Sequence, residues 1–92
     1  MTQSDIPEEI TLLMNSIRTK LHPRAHEIVE GLLMAGERRV AMEHLCEILC
    51  EDEVSLDPSS HVRLTTIASL LKLDQRFISI IPKPKNLEPT PE

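Results

Sequence analysis

Carboxylates at regular spacing are the side chains of this chain best placed to do chemistry. Nine acidic residues fall between Glu27 and Asp57, and only Arg38 and Arg39 oppose them there. An acidic surface of this kind attracts cationic surfaces of other molecules. The whole chain carries a formal charge of -5, so it has no general attraction for the phosphate backbone of nucleic acids.

Five of these acids form a candidate partner-binding surface, which we call the acidic ridge: Glu43, Glu47, Glu51, Asp52 and Glu53. The first three are spaced by four residues and share one face of a helix. Like charges at this spacing repel by roughly 0.2–0.5 kcal/mol per pair. The last two lie at a predicted helix C-terminus, where the helix dipole disfavours acids. Acids placed against local stability suit a binding surface, but a face that merely keeps the protein soluble is the alternative, and charge alone does not separate them.

A metal site is a second candidate, from His44, Cys46 and Cys50. On a helix, His44 points well away from Cys46, and a structural zinc site needs four ligands, usually from two elements. Two small thiols beside an aliphatic face are more often core filler. We therefore predict no metal and no cofactor.

Catalysis is a third candidate, because four histidines accompany the acids. The chain has only two glycines and no Gly-rich phosphate loop, and no nucleophile motif is readable. Cys46 would need exposure and a neighbouring base to act as a nucleophile, and its pattern buries it. The sequence therefore predicts a protein that is not an enzyme. The single aromatic residue, Phe77, also argues against binding of single-stranded nucleic acid, which stacks bases on rings.

DNA binding by a helix-turn-helix is a fourth candidate. Residues 58–73 would be the recognition helix and carry Arg63 and Lys72. That helix is apolar on most sides, and the acidic helix before it would repel phosphates. A helical transcriptional regulator and an oligomeric scaffold remain as alternative functions.

The elements that position these residues are all helical. The apolar spacing predicts an all-α fold, a small bundle of four to five helices, over residues 6–21, 23–35, 37–52, 58–73 and a short segment after Asp74. Asp5, Asp57 and Asp74 are predicted N-caps, and Gly36 a C-terminal cap. A domain of residues 1–81 is followed by a flexible proline-rich tail, 82–92.

Several burial predictions follow from the same pattern. Ala25, Ile28, Val29, Leu32 and Leu33 are expected to form the apolar face of the second helix. The fourth helix is apolar nearly all round, which predicts a central position. Leu12 and Met34 lie off the core faces; they are expected at the surface, as partner contacts, incidental exposed residues or part of a homodimer interface.

The location expected from the sequence is the cytoplasm. Two cysteines four residues apart do not make a secreted disulfide framework. No basic region followed by an apolar run is visible near Met1, so no signal peptide is expected. No apolar stretch is long enough to span a membrane.

One stretch resembles a known family. Ala35-Gly36-Glu37, Val40-Ala41, Glu43-His44-Leu45-Cys46-Glu47, Leu49 and Glu51, followed by a leucine-rich helix that ends in Leu73-Asp74, are similar to a pattern in MafI-type immunity proteins and related immunity proteins of contact-dependent growth inhibition systems. The resemblance covers roughly residues 28–78. It implies a bacterial cytoplasmic protein that binds the C-terminal domain of a cognate toxin. Many such toxins are nucleases with basic clefts, and an acidic helix suits such a cleft.

Overall fold

Five α-helices make up the fold in this computed structural model, which describes residues 5–84. They are α1 (Ile6–Ile17), α2 (Pro23–Met34), α3 (Arg38–Glu51), α4 (Pro58–Leu70) and α5 (Gln75–Ser79), with one 3-10 turn at Arg18–Lys20 after α1. No strand occurs within the described part. The predicted all-α fold is therefore confirmed, whereas residues 85–92 of the predicted tail lie outside the described residues.

Side-chain caps begin three of the helices. Asp57 accepts a hydrogen bond from the backbone N–H of Ser60 at 3.3 Å, and Asp74 accepts one from Arg76 at 3.0 Å. His22, whose position near a helix start made a capping role ordinary, accepts one from Arg24 through Nδ1 at 3.1 Å. The predicted capping role of Asp5 is wrong: its side chain makes no capping hydrogen bond, and its backbone is helical (φ -89, ψ -8) rather than extended as a cap requires.

Three helices end in the same hydrogen-bonding motif, but only one uses glycine. After α2, Gly36 has φ 82, and the N–H of Glu37 donates to Leu32 O at 2.9 Å. This is a Schellman motif, in which a left-handed residue follows the helix. The same position after α3 and α4 is held by Glu53 (φ 50) and Lys72 (φ 59). Because side chains disfavour left-handed backbone, each costs about 1 kcal/mol relative to glycine.

The core is centred on α3 rather than on α4. Helix α3 contributes six buried residues: Ala41, Met42, Leu45, Cys46, Ile48 and Leu49. Helix α2 packs on α3, α1 packs on α4, and α5 contacts both α3 and α4. Helix α4 contacts both α1 and α5, as its apolar pattern predicted, but it is not buried all round, because Val62 is 56 % exposed. Ile28, predicted in the apolar face of α2, is 44 % exposed because Val29 faces the core instead.

Polar side chains join α1 to α4 beside their apolar contact. Ser60 is buried, and its hydroxyl lies 3.0 Å from that of Ser16. Arg63 Nε donates to Glu9 Oε1 at 2.9 Å. Packing also extends to Pro84, which is fully buried three residues beyond the predicted domain boundary. No helix in residues 5–84 is long and apolar enough to cross a membrane.

Candidate functional site

The acidic ridge stands on the most buried helix of the fold. Leu45 and Leu49 on the inward face of α3 have no exposed surface. Glu47 and Glu51 project from the outward face and are exposed. Because the inward face is packed and the helix is continuous from Arg38 to Glu51, the backbone that carries these two carboxylates is fixed by the core.

Glu43 differs from the other members of the ridge. Its carboxylate lies 3.5 Å from Arg39 Nε, and its side chain is only 25 % exposed. The two residues are one helical turn apart, and Arg39 partly neutralises the negative charge at the N-terminal end of the ridge. Glu43 is therefore less accessible to a partner than the sequence suggested.

The other four acids carry uncompensated charge. Within residues 5–84, Glu47, Glu51, Asp52 and Glu53 form no ion pair, and all four are exposed. Asp52 is the C-cap of α3, and Glu53 is the left-handed residue after it. The structure thus brings together four of the five predicted residues as a continuous run of free carboxylates from Glu47 to the turn after α3.

The end of α3 is built at a cost to stability. The N–H of Val54 donates to Leu49 O at 3.0 Å, which closes the Schellman motif. Glycine would fit the left-handed position without strain, yet Glu53 occupies it. Acids beside the C-terminal carbonyl groups also oppose the helix dipole. The sequence did not predict this backbone strain. It lowers the stability of the fold in addition to the unfavourable interaction of the acids with the helix dipole.

The two thiols of α3 have different environments. Cys46 is buried and Cys50 is exposed, and both are free. Burial, followed by the negative charges of Glu43 and Glu47, raises the pKa of the Cys46 thiol from 9.0 to about 12. Cys46 is therefore a neutral core residue at physiological pH, as its position predicted. The interpretation of Cys50 as core filler is wrong, because Cys50 is exposed although it lies only one helical turn beyond buried Cys46.

The other chemical candidates gain little from the geometry. No group of three or more His, Cys, Asp or Glu side chains in the described part of the chain is arranged to hold a metal ion. His26 Nε2 lies 3.7 Å from Glu30, which is one turn of the same helix. In the proposed recognition helix, Arg63 is engaged by Glu9, so it does not project freely toward DNA.

A groove between α1 and α2 is the feature that the sequence analysis missed. It encloses about 890 Å³, and Ile10, Met14, Leu33 and Met34 contribute its apolar lining. Met34 is 87 % exposed and Leu12 is 42 % exposed, so the prediction that both lie at the surface is confirmed. Of these two residues, Met34 lines the groove and Leu12 does not. Its position off the core face was the one signal in the sequence, but periodicity does not reveal which helices leave a gap.

Comparison of the chain with protein-family models, with curated proteins and with solved structures gives no match. The resemblance to MafI-type immunity proteins therefore rests on the motif residues alone. The geometry of the ridge and of the groove is the remaining basis for a functional argument.

Proposed function

We propose that this protein is an immunity protein that binds and neutralises a cognate bacterial toxin domain in the cytoplasm. The partner surface is basic, as in a nuclease cleft, and the acidic ridge contacts it. The protein acts by occupying that surface and not by catalysis. The observation that carries the proposal is a run of exposed carboxylates that form no ion pair within residues 5–84: Glu47, Glu51, Asp52 and Glu53. They lie on the outward side and at the end of a helix whose inward face is buried.

The charges of the ridge suit a partner and not the isolated fold. Glu47 and Glu51 repel each other across one turn, at a cost of roughly 0.2–0.5 kcal/mol. When a cationic partner binds, each carboxylate faces Lys or Arg, and the electrostatic free energy of the ridge becomes favourable. Complementary charge of this kind chiefly speeds association and selects the partner.

The ridge is also preorganised. Its supporting residues Leu45 and Leu49 have no exposed surface, so binding need not order the backbone of α3. A surface that is already ordered loses less conformational entropy on association. This favours tight binding to a rigid cleft.

A regulator that binds DNA is less well supported. In the helix that would enter a DNA groove, Arg63 is paired with Glu9 at 2.9 Å. For a protein with a net charge of -5, each phosphate contact must overcome electrostatic repulsion.

The proposal predicts that a toxin domain is encoded beside the gene for this protein, and the test uses that domain. Co-expression of the full chain should rescue cells from the toxin domain, and the purified pair should associate with a rate that falls as salt is added. Changing Glu47→Lys and Glu51→Lys together should slow association on the order of 10- to 100-fold.

The matched control is the double variant Glu8→Lys with Glu37→Lys. It makes the same change in net charge at two exposed positions outside the ridge. Comparison of the two double variants therefore separates direct contacts of the ridge with the partner from the general attraction due to net charge. Absence of rescue and of binding by the wild-type chain would refute the proposed function. Equal slowing by the two double variants would refute only the assignment of the ridge.

A further inference from the structure

The groove between α1 and α2 exists because these consecutive helices have different packing partners. Helix α1 packs on α4 and α2 packs on α3, while the 3-10 turn at Arg18–Lys20 leads from one to the other. The space between the two helices is left open. Its deepest side chains, Ile10 and Met14, are core residues with 3 % and 2 % of their surface exposed.

The length of the groove suits a helix. Both flanking helices have 12 residues, and 12 residues of α-helix extend about 18 Å. Three turns of a third helix would fill that length. Met34 stands at the lip with 87 % of its surface exposed, and unbranched methionine side chains adapt readily to different apolar partners.

Charges on the rim indicate what kind of helix fits. The α2 side carries Glu27 and Glu30. Glu27 forms no ion pair within residues 5–84, and Glu30 has only His26 at 3.7 Å. The cations of the groove are Arg18, just after α1, and Arg38, the first residue of α3. They lie beyond the two ends of α2, so the acidic rim lies between them.

We propose that this groove binds an amphipathic helix of a partner protein. Its apolar residues, spaced by three and four, cover Ile10, Met14, Leu33 and Met34. Its Lys or Arg residues lie along the flank that faces Glu27 and Glu30. A second copy of this chain is a poor occupant, because each copy has a net charge of -5 and like charge opposes association.

The proposal is independent of the acidic ridge. The ridge residues Glu47 and Glu51 belong to the outward face of α3 and do not line the groove. A variant that loses binding at the ridge can therefore still be tested for binding at the groove, and the reverse also holds.

The experiment uses the full chain with 13C-labelled methionine methyl groups and two synthetic helical peptides. Each peptide has about three to four turns with leucines along one face, and the flanking positions are all lysine in one and all glutamate in the other. The lysine peptide should shift the methyl signals of Met14 and Met34. The signal of Met42, which is buried in α3 with no exposed surface, is the internal control and should stay in place.

Four variants complete the test. Met34→Asp should weaken the lysine peptide by about tenfold or more, whereas Val62→Asp, at an exposed apolar position of α4, should leave its affinity unchanged. Glu27→Lys should shift the preference toward the glutamate peptide. Glu47→Gln with Glu51→Gln, in the ridge, should retain binding of the lysine peptide.

Several results would overturn the proposal. Equal affinity for both peptides would exclude recognition by the acidic rim. Methyl shifts confined to Met42, or equal losses in the Met34 and Val62 variants, would place the peptide elsewhere. Met14 and Met34 signals that change with protein concentration alone would identify a second copy as the occupant, and signals that change on deletion of residues 85–92 would identify that segment.

Discussion

The two faces of α3 have opposite relations to the rest of the molecule. The inward face, with Leu45 and Leu49, has no exposed surface. The outward face carries Glu47 and Glu51, which make no ion pair in the described part of the chain. Packing determines the residues on the first face, whereas nothing in the fold requires carboxylates on the second. The difference shows that stability and surface chemistry are assigned to opposite sides of one helix.

The largest expected contrast between the two faces is in thiol reactivity. Since the pKa of Cys46 rises from 9.0 to about 12, its thiolate fraction at neutral pH falls by about a thousandfold, and burial also blocks access. Cys50 is exposed. An alkylating reagent should modify Cys50 alone in the folded protein and both thiols in denaturant, as measured by mass spectrometry. Rapid labelling of the folded Cys50→Ser variant would contradict the inward position of Cys46.

A core truncation should have the next largest effect. Leu45→Ala removes a side chain with no exposed surface and should lower the free energy of unfolding by about 2–5 kcal/mol. Glu47→Ala, two residues away on the exposed face, should change it by less than about 0.5 kcal/mol. Urea unfolding followed by circular dichroism measures both. Similar decreases in the free energy of unfolding in the two variants would contradict the claim that only the inward face of α3 stabilises the fold.

The strained end of α3 gives a smaller effect of opposite sign. Glu53→Gly should raise the free energy of unfolding by about 1 kcal/mol, because glycine accepts the left-handed backbone. Lys72→Gly is the matched control, since Lys72 has φ 59 and Glu53 has φ 50. Both should stabilise the fold, but only Glu53→Gly should also weaken binding of a cationic partner. A loss of stability in both variants would show that the left-handed residues are not strained.

Charge reversal on the outward face should improve stability slightly while it impairs binding. Glu47→Lys replaces two repulsive pairs, with Glu43 and Glu51, by attractive ones and should stabilise the helix by about 1 kcal/mol at low salt. The gain should shrink as salt is added. Thermal unfolding at two salt concentrations measures it. A destabilised variant would mean that Glu47 makes a favourable contact in the free protein.

The smallest expected effect is a pH dependence at the start of α4. Hydrogen bonds from Ser60 and Ser59 lower the pKa of Asp57 below its usual value. A carboxyl with a lowered folded pKa contributes stability above its unfolded pKa, and this contribution is lost as pH falls through the folded value. Asp57→Asn should flatten the loss of stability on acidification below about pH 4. An unchanged pH profile would contradict the capping interaction.

Much of the fold followed from local pattern. Caps at Asp57 and Asp74 and the end of α2 at Gly36 depend on residues within one turn, so the sequence predicts them directly. Burial at Leu45 and exposure at Met34 follow from helical periodicity.

The parts that the sequence did not predict depend on which helices are neighbours. Val62 and Cys50 are exposed on helix faces that no other helix within residues 5–84 buries, and periodicity alone does not show this. The groove has the same cause, since α1 and α2 are adjacent in the chain but pack on different partners. Glu53 is a related case, because a non-glycine residue gives no sign that its backbone is left-handed. The acids of the ridge were predictable, and so was the pairing of Glu43 with Arg39, because the two residues lie one turn apart on α3.

The rise of α3 sets a limit on how closely its carboxylates can imitate a polynucleotide. Acids four residues apart are about 6 Å apart along the axis, while one DNA strand carries a phosphate about every 3.4 Å. The stripe of Glu43, Glu47 and Glu51 therefore has about half the linear charge density of one DNA strand. Asp52 and Glu53 follow Glu51 directly, so the negative charge of the ridge is concentrated at the C-terminal end of α3. Under the proposed function, a cationic partner would meet its strongest attraction there.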